Sequence, residues 1–252
     1  MSGWLRSRVR QWLPDAWMAA MRKQMRRARH WGLRHWCNAC GSRLRAFLPH
    51  PSGEQDFLCP VCGSKPPHRL AMYFLQERAE LFVGGGQMLH IAPEPGLRPR
   101  LARMCERVGM AYRPGGLTGE GAEHLDLLDL PFADACVDLM YCCHVLNCMP
   151  DDRAAMREVR RVMSRQGTAL LQVPAFNVGV ETIETTTREQ RIAAFNDDGI
   201  HRCYTDADYQ QRLRASGFLV TVYRAEALPP GDVARLSLKR EVLHVCQPDG
   251  PR

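Results

Sequence analysis

The stretch that decides the fold is Met88-Leu89-His90-Ile91-Ala92-Pro93-Glu94-Pro95-Gly96, in which a short apolar run leads into a turn. The residues that follow place Leu97, Leu101 and Met104 at helical spacing. A strand, a tight turn and a helix in this order begin a doubly wound α/β sheet. Because open parallel sheets bind ligands just beyond their strand ends, this turn is the predicted cofactor loop.

The chain beyond this turn alternates short apolar runs with amphipathic stretches, which is typical of a mostly parallel sheet. Strands are predicted at residues 87–92, 111–113, 124–125, 137–142, 168–173, 218–224 and 242–246. Helices are predicted at residues 97–108, 151–163 and 206–216. Seven strands fit one α/β domain over residues 87–248, and residues 67–86 are predicted to form a connecting helix in front of it.

Composition limits the class of protein. The 252 residues, 45% of them apolar, can bury one full α/β core and a small appendage. No run approaches the roughly 20 apolar residues of a membrane-spanning helix. The N-terminus also lacks the apolar core of a secretory signal, so a cytoplasmic location is expected.

The basic charge of the chain is concentrated in an arm at residues 1–36. This arm holds nine Lys and Arg residues against one acid, Asp15. Subtracting these from the 34 basic and 27 acidic residues of the whole chain leaves 25 and 26, so the remainder is nearly neutral. The arm also contains all five tryptophans: Trp4, Trp12, Trp17, Trp31 and Trp36.

A helix that starts at Asp15 would place Trp17, Met21 and Met25 on one side and most of the arginines on the other. Such a basic amphipathic helix suits three roles. Its apolar stripe could pack on the protein's own body, it could bind an anionic membrane surface, or it could contact nucleic-acid phosphates. The sequence leaves all three open, so the expected location includes the inner membrane surface.

Four cysteines are predicted to bind one structural zinc ion in a ribbon over residues 37–66. They are Cys37 and Cys40 in the first C-x2-C knuckle, and Cys59 and Cys62 in the second. Two knuckles separated by 18 residues match a tetrahedral four-sulfur site. Because a closed site leaves no position for water, the metal is expected to fold the module rather than to catalyse. His68, just beyond the ribbon, is expected to be a capping or surface residue.

Several segments of the chain, beginning with the cofactor loop itself, are informative in the order in which they occur. They are 89–94 (LHIAPE), 125–132 (LDLLDLPF), 137–140 (VDLM), 144–146 (HVL), 149–153 (MPDDR), 157–163 (REVRRVM) and 170–174 (LLQVP). In this order they resemble class I S-adenosylmethionine-dependent methyltransferases, in particular a type 11-like bacterial branch with an N-terminal cysteine-rich ribbon. The resemblance covers roughly residues 37–246. It implies a Rossmann-like seven-stranded methyltransferase sheet behind a zinc ribbon and a basic amphipathic arm.

The resemblance also implies a set of site residues. Those expected to bind S-adenosylmethionine are Ala92, Pro93, Glu94, Gly96, Asp126, Leu127 and His144. Glu94 would accept a hydrogen bond from the cofactor's ammonium, and Asp126 one from the adenine amino group. His144, at a strand end, and His201 are the candidate catalytic residues. Asp151 and Asp152 are expected to open the following helix, where acids complement the helix dipole.

Two positions depart from the family pattern. Gly116 stands where the second strand usually ends in the acid that binds the ribose, and Glu120 or Glu123 could take its place. Residues 196–201 (NDDGIH) differ from the segment expected to line the acceptor side, with His201 displaced by one position.

Two functions therefore stay open. One is methyl transfer to an oxygen or nitrogen of an unidentified acceptor, with a small molecule or glycan precursor favoured and RNA second. The other is a catalytically silent methyltransferase-like scaffold that binds a partner through the ribbon and the arm.

Overall fold

The structure is a computed structural model that describes residues 15–51, 53–117, 123–174, 179 and 181–250. Its helices are α1 (Asp15–Arg29), α2 (Pro66–Glu77), α3 (Arg98–Val108), α4 (Asp152–Val162), α5 (Arg188–Phe195), α6 (Asp206–Ala215) and α7 (Pro230–Leu236). Its strands are β1 (His35–Cys37), β2 (Ser42–Leu44), β3 (Gln87–Ile91), β4 (Ala111–Gly116), β5 (Glu123–His124), β6 (Val137–Cys143), β7 (Met163–Gln172), β8 (Ile183–Glu184), β9 (Arg202–Cys203), β10 (Phe218–Arg224) and β11 (Val242–Pro248). Trp4, Trp12 and Glu120 lie outside the described residues.

The seven-stranded sheet that the sequence predicts is confirmed. Its strand order is β10-β11-β7-β6-β3-β4-β5. The strands from β7 to β5 pair in parallel, whereas β11 runs antiparallel to both β7 and β10. From β3 the chain passes to β4 and β5 on one side and then crosses back to β6 and β7 on the other. The carboxyl ends of β3 and β6 therefore form the topological switch point, where such sheets bind ligands.

Alternating side chains along each strand divide the core into two layers. On one face, Met88, Leu139 and Tyr141 pack with residues of the ribbon such as Leu44 and Val61. The other face packs against α4 and α6; residues of this layer include Leu89, Met140, Val159 and Leu213. The ribbon therefore packs on the sheet through a shared apolar core.

Arg69 is a second link between the ribbon and the sheet domain. This side chain is fully buried and donates hydrogen bonds only to backbone carbonyls. Its Nε reaches the carbonyl of Leu236 at 2.6 Å and its Nη2 that of Ser237 at 3.1 Å, while Nη1 reaches Ser64 at 2.8 Å and Phe57 at 3.0 Å. One guanidinium thus joins the second knuckle to the end of α7.

Local signals account for most element boundaries. The Asp151 carboxylate accepts a hydrogen bond from the Ala154 amide at 2.8 Å and caps α4, as expected. Helix α3 ends at Gly109, whose φ of 71° is accessible because glycine has no Cβ. Strand β7 begins at Met163, five residues before the predicted start, because Met163 pairs with Val137 across a register shift. Helices α5 and α7 and the β8–β9 pair are present although the sequence pattern did not predict them.

The arm helix α1 packs on the ribbon through Arg27, whereas Arg22, Arg26 and Arg29 are exposed. Arg27 donates from Nη2 to the carbonyl of Cys40 at 2.9 Å and from Nε to the Ser42 hydroxyl at 3.2 Å. The apolar stripe faces the opposite way, so Trp17 is 64%, Met21 50% and Met25 60% exposed. The alternative in which this stripe packs on the protein's own body is therefore wrong for the described part of the arm. Across the described residues, none of the helices combines the length and apolar character needed to cross a bilayer.

Candidate active site and metal centre

A cavity of about 340 Å³ lies at the switch point between β3 and β6. This volume is within the range of about 300–1,000 Å³ that is usual for small-molecule sites. Its sheet side is formed by Ala92, Glu94, Pro95, Gly96, Cys143 and His144, and its other side by Cys62, Gly63, Ser64, Lys65 and His68. The parallel register places Ile91 beside Cys142, so the residues that follow both strands converge on the cavity.

The turn after β3 is shaped by close backbone contacts. Ala92 has a φ of 50°, and its amide donates to the carbonyl of Gly115 at 2.8 Å. A Cβ at Gly96 would lie 2.8 Å from the carbonyl oxygen of Cys62. The cofactor loop therefore touches the second knuckle, and glycine is required at the point of contact. Pro93, also predicted to bind the cofactor, lies in the same turn but outside the residues that line this cavity.

Glu94 is held between two histidines. Its Oε2 lies 2.8 Å from Nε2 of His90, and its Oε1 lies 3.4 Å from Nε2 of His68. The Nδ1 of His90 contacts the Tyr112 hydroxyl at 2.7 Å. Since a carboxylate only accepts, Nε2 of His90 donates to Glu94 and Nδ1 accepts from Tyr112. Burial disfavours the charged form of Glu94, but the hydrogen bond from His90 and the proximity of His68 keep its pKa below the usual value.

The side chains of His68, Glu94 and Cys143 lie close enough to raise the question of a second metal site, since their ligand atoms are within 4.8 Å of one another. However, Nδ1 of His68 accepts a hydrogen bond from the Lys65 amide at 3.3 Å. The neutral ring therefore carries its proton on Nε2, which points it at Glu94 as a donor. Burial also raises the pKa of the Cys143 thiol, so it stays protonated. His68, whose pKa burial lowers to about 4, and Cys143 thus lie beside Glu94 as neutral side chains.

His68 agrees with the sequence prediction in one respect and differs from it in another. It makes the capping-type contact that the sequence predicts, because the Lys65 amide donates to its ring. It is not a surface residue, since it is only 7% exposed and faces Glu94 across the cavity.

His144 follows β6 and lines the cavity. Its φ of 58° lies in the left-handed region, which is uncommon for a residue other than glycine. Its amide donates to the carbonyl of Gln172 at 2.9 Å, whereas its buried Nε2 has no hydrogen-bond partner among the described residues. Burial, followed by the nearby His68, lowers the pKa of His144 to about 4, so the ring is neutral at pH 7. A neutral imidazole with a free nitrogen is available to a ligand.

His201 lies beside the turn that follows His144. The amide of His201 donates to the carbonyl of Asn147 at 2.9 Å. Its own carbonyl accepts from the amide of Thr185 at 3.0 Å and from the hydroxyl of the same residue at 2.7 Å. The structure thus brings the segment of His201 next to the end of β6, but His201 is outside the residues that line the cavity.

The residues expected at the adenine and ribose lie beyond β4 and β5. Asp126 is half-buried, and its Oδ1 accepts from the amide of Leu128 at 2.9 Å. Leu127 is buried in the core layer that contains Leu89. Gly116 ends β4, and Glu123 forms a two-pronged ion pair with Arg113, with an Nη2–Oε2 distance of 2.6 Å. Both carboxylate oxygens of Glu123 therefore already accept hydrogen bonds from Arg113, which argues against Glu123 as a ribose ligand.

A buried ion-pair cluster, formed by Asp152, Arg202 and Arg212, supports the turn after β6. Asp152 is 3% exposed; its Oδ2 accepts from Arg212 Nη1 at 3.1 Å and from the Tyr204 hydroxyl at 2.7 Å. Arg202 lies 3.8 Å from the same carboxylate and donates to the carbonyl of Met149 at 2.5 Å. Asp152 begins α4 as expected, but its carboxylate serves this cluster, which no sequence pattern indicated.

The four predicted cysteines meet in one cluster, with all sulfur atoms within 4.8 Å of one another. The sulfurs of Cys37 and Cys62 are 3.7 Å apart, and those of Cys40 and Cys59 are 3.8 Å apart. A tetrahedron with zinc–sulfur bonds of about 2.3 Å has edges of about 3.8 Å, so the donors and their spacing fit zinc. The two knuckles are also alike in backbone: Gly41 and Gly63 both have a φ of 73°.

Comparisons with known proteins agree with this geometry. Residues 100–171 match a family model described as a methyltransferase domain. The CMeT domain of citrinin polyketide synthase is 13% identical, with a TM-score of 0.52, over 80% of this chain and 58% of that one. A chain of the complex between the Haloferax volcanii Trm112 methyltransferase activator and a putative methyltransferase is 16% identical, with a TM-score of 0.47, over 71% and 93%.

An S-adenosylmethionine-dependent methyltransferase from Mesorhizobium loti is 17% identical over 70% of this chain and 96% of that one, with a TM-score of 0.49. No curated protein matches the sequence. At such identities a structural likeness shows the fold alone. The family match places a segment similar to a methyltransferase domain, residues 100–171, within the seven-stranded α/β sheet.

Proposed function

We propose that this domain transfers a methyl group from S-adenosylmethionine to an oxygen or nitrogen of a small molecule or a glycan precursor. The observation that carries the proposal is the cavity at the switch point, with the Glu94 carboxylate oriented by His90 and His68. An oriented carboxylate in a half-enclosed cavity suits the ammonium of the cofactor's amino-acid end. Ala92, Pro93 and Gly96 would place the loop backbone around the same end.

The remaining site residues take roles that follow from their positions. Asp126 and Leu127, beyond β5, would contact the adenine. When bound, the cofactor supplies an activated methyl group, so the protein has to position the acceptor and exclude water. An acceptor that gains a methyl group loses a proton. The free Nε2 of His144 is the group on the cavity wall that can hydrogen-bond the acceptor and receive this proton, and the segment of His201 would border the acceptor.

The distribution of charge supports the proposed acceptor class. The chain outside residues 1–36 is nearly neutral, and a large RNA footprint depends on many phosphate contacts from Lys and Arg. We therefore favour a small molecule or a glycan precursor over RNA. The four-cysteine cluster would hold one structural zinc ion, and metal analysis of the purified chain should then return one zinc per molecule.

Calorimetry with S-adenosylhomocysteine tests the proposal. Wild-type protein should bind, and Glu94→Gln should bind on the order of tenfold or more weakly, because it loses a charged partner for the ammonium. Gln replaces the carboxylate at nearly equal size, and circular dichroism would verify that the variant is folded. No heat of binding at millimolar ligand would refute the proposal and favour the silent scaffold.

Methyl transfer is then followed with labelled cofactor against separate pools of small molecules, glycan precursors and RNA. His144→Ala should lose methyl transfer. Equal activity of His144→Ala and wild type would remove His144 from the reaction. Labelling confined to the RNA pool would overturn the proposed acceptor class.

We further propose that the arm binds an anionic membrane surface. Trp17, Met21 and Met25 form an exposed apolar stripe, while Arg27 anchors the helix to the ribbon by its opposite side. Basic residues outnumber acidic ones by nine to one in residues 1–36. Each Lys or Arg near an anionic bilayer contributes about 1 kcal/mol, and the apolar stripe adds insertion into the headgroup region.

Flotation with phosphatidylcholine vesicles, with and without phosphatidylglycerol, tests membrane binding. The full chain should float with the anionic vesicles, and the triple variant Trp17→Ser, Met21→Ser, Met25→Ser should not. Leu219→Ser is the matched control, since Leu219 is 57% exposed on β10, away from the arm. Equal flotation of the triple variant and this control would contradict membrane binding through the stripe, as would a gel shift with RNA in the absence of flotation.

A further inference from the structure

The cavity is formed by two parts of the chain that are far apart in sequence. One wall is the turn after β3, and the other is the second cysteine knuckle together with the first turn of α2. The two walls are in contact, since a Cβ at Gly96 would lie 2.8 Å from the Cys62 carbonyl and 3.4 Å from the Cys62 sulfur. The ribbon is therefore part of the cavity and not a separate module beside it.

The two walls carry opposite charges. Lys65 lies on the ribbon wall and Glu94 on the sheet wall. Lys65 is one of three lysines in the chain; the others are Lys23 and Lys239. An α-amino acid is a zwitterion that carries an ammonium and a carboxylate. The Lys65 ammonium on one wall can pair with the ligand's carboxylate, and the Glu94 carboxylate on the other wall can pair with its ammonium. The cofactor proposed above ends in such a group.

We propose that the ribbon supplies half of the cofactor's amino-acid site: Lys65 binds its carboxylate, Glu94 binds its ammonium, and metal in the four-cysteine cluster is needed to hold Lys65 in place. His68 acts as a positioning residue, because its Nε2 donor orients Glu94 from the ribbon side. This inference rests on the proposed use of S-adenosylmethionine.

The dependence on metal follows from the contacts of Ser64, the residue before Lys65. The Ser64 hydroxyl lies 3.1 Å from the sulfur of Cys37, and its carbonyl accepts from the Cys59 amide at 3.0 Å. The same carbonyl accepts from Arg69 at 2.8 Å. A bound metal ion would fix the four sulfurs relative to one another. Its removal should therefore loosen the second knuckle and the adjoining backbone at Lys65.

A comparison of two ligands measures how much the amino-acid group contributes to binding. S-Adenosylhomocysteine carries the amino acid, whereas 5′-methylthioadenosine keeps the nucleoside and lacks it. In calorimetry, Lys65→Gln should weaken S-adenosylhomocysteine on the order of 10- to 100-fold and leave 5′-methylthioadenosine unchanged. Lys239→Gln is the control, because Lys239 pairs with Glu54 and is outside the residues that line the cavity. Equal loss for both ligands would mean a general disturbance of the fold and would overturn the assignment of Lys65.

The role of His68 is tested by a pair of variants. His68→Gln can keep an N–H donor near the position of Nε2, whereas His68→Leu cannot. The Leu variant should lose affinity for S-adenosylhomocysteine about tenfold, and the Gln variant should recover most of it. Equal affinities of the two variants would show that His68 serves packing alone.

The role of the metal is tested on the full chain after chelation, with metal content and circular dichroism measured on the same sample. Affinity for S-adenosylhomocysteine should fall at least tenfold, and re-addition of zinc should restore it. If wild type binds S-adenosylhomocysteine but neither Lys65→Gln nor chelation changes its affinity, the inference fails and the proposed function stands. If wild type binds neither ligand, the proposed function fails and the inference with it.

Discussion

Asp152→Asn is the substitution that most directly tests the buried ion-pair cluster behind the candidate active site. The Asp152 carboxylate is 3% exposed and faces Arg202 and Arg212, which are 5% and 8% exposed. Asn has nearly the same shape but carries no charge. The substitution therefore leaves the apolar packing intact and removes the anion from a buried cluster.

The expected decrease in the free energy of unfolding can be estimated from the contacts of the cluster. Breaking a buried ion pair by removing one partner costs about 3–5 kcal/mol. Arg212 would keep its contacts with Asp208 at 2.8 Å and with Glu184 at 2.5 Å. Because these acids still compensate part of the charge, we expect the lower end, about 3 kcal/mol. For a chain of this size, that corresponds to a fall of about 6–12 °C in the melting temperature.

Thermal unfolding followed by circular dichroism measures this loss, with Asp151→Asn as the matched control. Asp151 is exposed and caps α4 through its side chain, a role that Asn fills about equally well. The control should therefore melt close to wild type. If Asp152→Asn melts within about 2 °C of Asp151→Asn, the buried cluster does not contribute as its geometry indicates.

Two further substitutions test the electrostatics and the packing near the ribbon. Burial raises the pKa of Glu241 to about 7, above its value in the unfolded chain, so wild-type stability should fall as the pH rises from about 4.5 to 7. The melting temperature of Glu241→Gln should depend less on pH than that of wild type, and the variant should be more stable than wild type at pH 8. If the melting temperatures of the two proteins change with pH in parallel, Glu241 is not the group responsible. Gly96→Ala should cost about 1–3 kcal/mol, because its Cβ meets the Cys62 carbonyl at 2.8 Å. Gly231→Ala, whose Cβ would have nothing within 4 Å, should cost nothing, and equal melting temperatures of the two variants would argue against contact between the walls.

The fold could be predicted because its signals are local and periodic. The run at 87–92 and its turn predicted β3 and the loop beyond it, and the cysteine spacing predicted the cluster that the structure contains. The positions of Glu94 and His144 at strand ends were sufficient to bring them to one cavity once the sheet was parallel.

The facing wall of the cavity could not be predicted in the same way. His68 and Glu94 are 26 positions apart, and no periodicity relates a ribbon residue to the loop that it meets. The burial of Asp152 was hidden for a similar reason. An acid in the first turn of a helix is usually solvated, and the arginines that surround Asp152 come from 50 and 60 residues further along the chain.

The hydrogen bonds of Arg69 have a consequence for the order of events during synthesis. Its carbonyl partners at Leu236 and Ser237 lie 167 and 168 positions away, near the C-terminal end of the chain. A chain that leaves the ribosome from its N-terminus completes the cysteine pairs long before these partners exist. The nascent ribbon would then hold its metal while Arg69 can reach its partners at Phe57 and Ser64 but not yet those at Leu236 and Ser237. Acquisition of the metal can therefore precede folding of the sheet, whereas the full set of Arg69 hydrogen bonds has to wait until α7 has been made.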